Sequence, residues 1–167
     1  MSIRQATPAD AALLCALSTA TFVETFGHLY PPEDLAAYLA IAYPEQLQRQ
    51  QLASGDYAAW ILELDGEAVG FVLAGPCGLP HPQVRQGDGE IKRLYVLAAH
   101  HNAGWGRKLM DAAMAWLGAR TQRQWLGVWS ENVGAQRFYA RYGFARVGQY
   151  EFPVGRVRDL EYILRRG

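Results

Sequence analysis

"IKRLYVLAAHHNAGWGRKLM" occupies residues 91–110. Its opening residues, with Glu90 in front of them, are apolar and aromatic enough to predict a strand. From Gly104 the spacing turns helical, with Leu109, Ala113, Trp116 and Leu117 on one side of a helix running to about Gly118. Between strand and helix lie His100, His101, Asn102, Ala103, Gly104, Trp105 and Gly106, very little side chain for a junction. Three readings compete: a phosphate cradle, a metal site and a plain tight turn. A cradle needs accessible backbone N–H groups, which glycines expose, and a following helix adds the positive end of its dipole. Arg107 and Lys108 put positive charge into the first turn, where it disfavours the helix itself, so an external anion would account for them. A tight turn explains the glycines by their size alone. The metal reading is the weakest, because adjacent histidines on an extended chain point to opposite sides and no cysteine or carboxylate stands at ligand spacing. No metal is expected.

Working outward, residues 2–6 suggest a short strand, and Thr7-Pro8 a helix start. Leu13, Leu17 and Ala20 repeat at helical spacing, so that helix should run to about Thr25. Residues 31–54 read as helical, divided in two by Pro44. Residues 57–64 and 67–75 flank Asp65-Gly66, a two-residue hairpin signal. The Gly/Pro-rich stretch 75–89 is long for a connection and is either mobile or functional. A strand over 124–129 and a short helix over 132–143 follow, and 144–152 with 157–164 form an antiparallel pair. The expectation is one α/β domain spanning 1–167, with a mixed, mainly antiparallel sheet.

Composition narrows the function classes. The chain has 167 residues, half of them hydrophobic, and a formal net charge of zero. That is enough for one sizeable core, and it offers no general attraction to nucleic acid or to acidic membranes. Arg156, Arg158, Arg165 and Arg166 read as a solvated strand end. The N-terminus lacks the apolar run of a signal peptide, and no segment is expected to reach the ~20 apolar residues of a membrane span. Two cysteines make no disulfide framework; Cys15 is expected in the core and Cys77 in a loop. A cytoplasmic protein without nucleic-acid or membrane partners is expected.

A second segment bears on the junction. "NVGAQRFYARYGF" begins at Asn132, and Tyr139 follows seven residues later, about two helical turns. Ala135, Tyr139 and Tyr142 also repeat at helical spacing, so Tyr139 is either a packing residue or a site residue.

Together the two segments resemble the GNAT superfamily of N-acetyltransferases. The first corresponds to its "L-x-V" strand followed by Gln/Arg-x-x-Gly-x-Gly/Ala, here "LYVLAAHHNAGWG". The second corresponds to its "N-x-x-A-x-x-F-Y-x-x-x-G-F", here Asn132 to Phe144. His101 stands where the family usually has Gln or Arg, and Asn102 where glycine is common. The resemblance implies a GNAT-type twisted sheet of about seven strands flanked by four to five helices. "TFVETFGHLYPPEDLAAYL" and "WLGVWSENVGAQRFY" further resemble bacterial acetyltransferases of the PaiA type, which act on spermidine and spermine.

The resemblance also implies a chemistry. Acetyl-CoA would be the co-substrate, its pyrophosphate held by the main chain of Asn102, Ala103, Gly104, Trp105, Gly106 and Arg107, with the His101 side chain able to donate to it. Its pantetheine arm would lie along Leu94, Tyr95 and Val96 as an added strand, with Asn132 capping or orienting it. A small-molecule or peptide amine would attack directly, without a covalent acyl-enzyme. Glu90 is the candidate base, unless it merely pairs with Lys92. Tyr139 would be the general acid toward the departing sulfur. Glu24 is either a pocket acid greeting a cationic amine or a solvated helix end. His28 and the segment to Pro32, with the 75–89 loop, would form the acceptor wall. Trp60, Phe71, Trp125 and Trp129 are expected to pack the core, while Trp105 covers the cofactor or a neighbouring loop. A non-catalytic CoA-binding module, a protein or peptide N-acetyltransferase, and a homodimer through the last strands are the remaining options.

Overall fold

A computed structural model describes all residues, 1–167. Seven strands alternate with five α-helices: β1 (Ser2–Gln5), α1 (Ala11–Phe26), α2 (Pro32–Ala42), α3 (Glu45–Ser54), β2 (Ala58–Leu64), β3 (Glu67–Pro76), β4 (Gly89–Val96), α4 (Trp105–Gly118), β5 (Gln124–Trp129), α5 (Val133–Ala140), β6 (Ala145–Val154) and β7 (Val157–Arg166). One sheet takes them all in the order β1-β2-β3-β4-β5-β7-β6. Every pairing is antiparallel except β4–β5. The expected fold class holds, as does the break between α2 and α3 at Pro44.

The hairpin at Asp65-Gly66 has positive φ at both residues, 51° and 81°, the backbone hand that matches the twist of β2 and β3. Residues of β2 and β3 then alternate between two cores. Leu62, Val72 and Ala74 pack with Leu109, Met110, Ala113 and Leu117 of α4. Ala59, Ile61, Phe71 and Leu73 pack with Leu14 and Leu17 of α1. Strand periodicity of two sends successive side chains to opposite faces, and both faces are covered by helices.

Helix α1 is rotated from its expected orientation. Its buried face is Leu14, Leu17, Ser18, Thr21 and Phe22, whereas Leu13 is 38% exposed and Ala20 faces outward. Thr21 is polar but enters the core without an unmet hydrogen bond, because its hydroxyl donates to the Leu17 carbonyl at 2.8 Å. The stretch Pro8–Leu29 also reaches the length and mean hydropathy, 1.3, of a membrane-crossing helix, which the sequence reading did not expect. Its inner face is docked on the sheet, as a core helix requires.

Loop 77–88 is anchored. The Asp88 carboxylate, 8% exposed, takes hydrogen bonds from the Arg123 guanidinium at 2.6 Å, the Trp125 indole at 2.9 Å and the Arg85 amide at 2.9 Å. His81 Nε2 bonds the Val147 carbonyl of β6, and its ring packs on Trp125.

Candidate active site

The site begins with a displaced backbone register. Ile91 faces Ala74 across β3–β4, but the next pair is Arg93 with Leu73, so Lys92 is an extra residue in β4. A bulge of this kind bends the strand that carries it. Beyond it, β4 leaves β5: their pairing ends at Ile91 with Leu126, while β5 stays paired to β7 as far as Trp129 with Glu161. Lys92 to Val96 therefore present a main-chain edge to an opening split, free except at the Val96 carbonyl, as strand addition requires.

A cavity of about 410 Å³ fills the split and continues toward α1, α2 and the β6–β7 hairpin. Leu94, Tyr95, Val96, His101, Asn132 and Tyr139 line it, as the sequence suggested, and so does Glu90. Much of the remaining wall is aromatic. Phe22 packs on Tyr38 with ring centroids 4.6 Å apart, Phe26 on Trp129 at 5.8 Å, and Tyr38 on Phe152 at 5.9 Å. Trp125, Phe71 and Trp60 lie in or against the core, but Trp129 belongs to the cavity wall.

At one end of the split stands the junction ahead of α4. Six consecutive amides, Asn102 to Arg107, donate to no group in the protein; the first helical bond is from the Lys108 amide to the Gly104 carbonyl. Asn102 and Gly104 adopt φ of 63° and 81°, the left-handed conformation from which anion-binding loops are built. A Cβ added at Gly104 or Gly106 would meet no protein atom within 4 Å, so neither glycine is there for internal packing. The donor set fits a diphosphate, which prefers several N–H donors at a helix N-terminus. His101 departs from expectation: its Nε2 bonds the Val96 carbonyl and so braces the strand end. Trp105 packs against the core and carries the Lys108 ammonium 4.7 Å from its ring centre.

Asn132 serves α5 directly, its Oδ1 accepting from the Ala135 amide at 3.0 Å. That cap starts the helix which carries Tyr139 inward, two turns on. The Tyr139 ring is 9% exposed between Phe138 and Phe144, and its hydroxyl has no protein partner. Burial and the nearby Glu161 carboxylate push its pKa above the usual phenol value, so it holds its proton throughout the physiological range.

The acids fall differently from the sequence reading. Glu90 Oε1 is engaged by Lys92 Nζ at 2.9 Å and by the Gly78 amide at 3.0 Å. Glu24 is outside the cavity: it lies on the outward side of α1, and its carboxylate accepts from the Ala98 amide at 2.8 Å, tying α1 to the end of β4. His28 is exposed and also outside, although Tyr30 of the same segment and Leu79 of the 77–88 loop do reach the wall. The acid that sequence reasoning missed is Glu161. It lines the cavity, forms no ion pair or hydrogen bond with the protein, and is pushed up to about 7 by burial and by the neighbouring Asp159. Its one visible signal was an acid at the inward phase of the Ile163 face of β7. Neither cysteine lines the cavity, and burial raises the Cys77 thiol to about 11.

Comparison with known proteins agrees with this geometry. The acetyltransferase (GNAT) family model matches residues 22–144. An uncharacterized N-acetyltransferase of Lactobacillus delbrueckii subsp. lactis is 29% identical over 168 residues, covering 99% of this chain and 96% of its own. A spermine/spermidine N(1)-acetyltransferase of Bacillus subtilis is 26% identical over 98 residues, covering 58% of this chain and 64% of its own. The crystal structure of a PaiA N-acetyltransferase from Thermoplasma acidophilum with coenzyme A superposes with a TM-score of 0.75 over 99% of both chains at 16% identity, a likeness of fold. The chain belongs to the acetyltransferase (GNAT) family.

Proposed function

We propose that this GNAT N-acetyltransferase acetylates a small primary amine bound in the aromatic cavity, by direct attack on the thioester. One observation carries the reading: a protonated phenol, Tyr139, and a partnerless carboxylate, Glu161, line one cavity whose wall reaches His101, the residue just before the six free amides. The free edge of β4 suits the peptide-like pantetheine arm, and the amides of Asn102 to Arg107 suit the diphosphate.

An amine with pKa near ~10.4 arrives as ammonium, and neutralising it at pH 7 costs about 4–5 kcal/mol. Glu161 takes that proton, a role the sequence reading gave to Glu90. Glu90 is already engaged by the Lys92 ammonium and the Gly78 amide, whereas Glu161 has no partner in the protein. The nitrogen lone pair forms the N–C bond, the C–S bond breaks, and sulfur leaves with the electron pair. Tyr139 donates its hydrogen to that sulfur, and the second nitrogen proton restores the phenol. The first proton passes from Glu161 to solvent, so the transfer yields amide, free thiol and one proton.

A polyamine acceptor, suggested by the PaiA-like segments, draws less support from the cavity. Glu24 is committed to Ala98, and a single partnerless carboxylate suits one ammonium group. The test is thiol release from acetyl-CoA across pH 5–9 with Glu161→Gln and Glu90→Gln. The expected result is a kcat loss of about 100-fold or more for Glu161→Gln, with its acidic limb flattened, and a far smaller loss for Glu90→Gln. The reverse ranking overturns the assignment.

A further inference from the structure

Six charged or titratable side chains other than tyrosines line the cavity: Glu90, Lys92, Arg93, His101, Asp159 and Glu161. Four are satisfied by the protein. Glu90 and Lys92 pair with each other, His101 bonds the Val96 carbonyl, and Asp159 accepts from the Tyr30 hydroxyl. Arg93 and Glu161 remain, and they do not pair with each other. The Arg93 guanidinium rests 4.6 Å from the Tyr43 ring centre, half-buried, with none of its five N–H donors bonded to the protein. Arg93 stands beside Tyr43, whereas Glu161 lies in β7 opposite Trp129 of β5 and Tyr150 of β6. The two free charges thus line different parts of one cavity wall, the anion on its β5–β7–β6 side and the cation at Tyr43.

Holding two opposite, unpaired charges in a largely aromatic cavity is costly, and one molecule with the complementary pair would satisfy both. An ammonium suits the Glu161 side, where aromatic faces add cation–π attraction. A carboxylate suits the planar fork of Arg93, which a point-charge lysine would match less well. We propose that the acceptor is an amine that also carries a carboxylate, an amino acid or close homologue, with its carboxylate on Arg93 and its nitrogen between Glu161 and Tyr139. This narrows the acceptor class and rests on the acetyl transfer described above. It gives Arg93 the task of selecting the acceptor; a polyamine would bring a second cation to the guanidinium.

The test compares leucine with isoamylamine, and phenylalanine with phenethylamine, each pair differing by the carboxylate alone. Spermidine is the third arm. Thiol release should show kcat/KM at least ~10-fold higher for the carboxylate-bearing member of each pair, spermidine being poorest. Arg93→Gln should collapse that ratio chiefly through KM, and Arg93→Lys should restore part of it. Equal or better turnover of the decarboxylated amines or of spermidine, or a ratio that survives Arg93→Gln, overturns the proposal.

Calorimetric binding of the products N-acetyl-leucine and N-isoamylacetamide, with coenzyme A present, reads the same preference without turnover. Preferred binding of N-acetyl-leucine that Arg93→Gln removes supports the carboxylate subsite even if no amine is acetylated, in which case the catalytic reading alone fails. Turnover without any such preference removes the subsite and leaves the catalytic reading standing.

Discussion

Replacing Glu161 by Gln should make the protein more stable, and increasingly so as pH rises. In the folded chain the carboxyl is pushed from an ordinary 4.5 up to about 7. A group held at a raised pKa binds its proton more tightly when folded, so its stabilising contribution is complete below about 4.5 and is lost as pH climbs through 7. The gap of 2.5 between these values, at 1.36 kcal/mol per unit, is worth about 3 kcal/mol once both states are ionised. Glutamine keeps the shape and carries no charge to desolvate. Urea denaturation of both proteins should therefore give a difference of about 1 kcal/mol or less at pH 5 and about 3 kcal/mol in favour of Glu161→Gln at pH 8. A variant equally or less stable at pH 8, or a gain that does not grow between the two pH values, would refute the claim that this carboxylate is buried without a partner. The expected pairing of higher stability with lost turnover is the usual signature of a strained functional group.

Three further outcomes follow from the geometry. Tyr139→Phe should lower kcat by about 100-fold in the thiol-release assay with little change in KM for acetyl-CoA, because the hydroxyl lines the cavity and has no structural partner to lose. Gly106→Ala should raise stability by up to about 1 kcal/mol in urea, since the new methyl meets no protein atom and alanine favours the helix; isothermal titration should nevertheless show weaker coenzyme A binding, as the methyl intrudes where the diphosphate approaches. Asp88→Ala should cost about 3–5 kcal/mol, seen as an earlier urea transition followed by tryptophan fluorescence, because Arg123 and the Trp125 indole lose their shared acceptor.

The strand–junction–helix unit around Gly104 was legible because its message is carried by the backbone: little side chain, positive charge in a first helical turn, and a change of hydrophobic period all register in one chain segment. The same holds for the Asp65-Gly66 hairpin and for Asn132, which both caps α5 and lies two turns from Tyr139. What stayed hidden depends on which side of an element faces inward. Leu13 and Leu14 are equally apolar, and only tertiary packing chose Leu14, which turned Glu24 outward to the Ala98 amide. Glu90 and Glu161 are both strand acids in apolar surroundings. What separates them is a lysine two residues along for one and the strand order β5-β7-β6 for the other, which brings Trp129 and Tyr150 to either side of Glu161.

The extra residue in β4 has a consequence for how this scaffold diversifies. On the reading proposed above, the nucleotide end is held by main-chain atoms, which almost any substitution leaves in place, whereas side chains of α1, α2, β6 and β7 build the acceptor end. Point mutations can therefore retune what is modified while the energy-rich donor stays docked. The two halves of the reaction are written in different parts of the polymer, one tolerant of drift and the other open to selection.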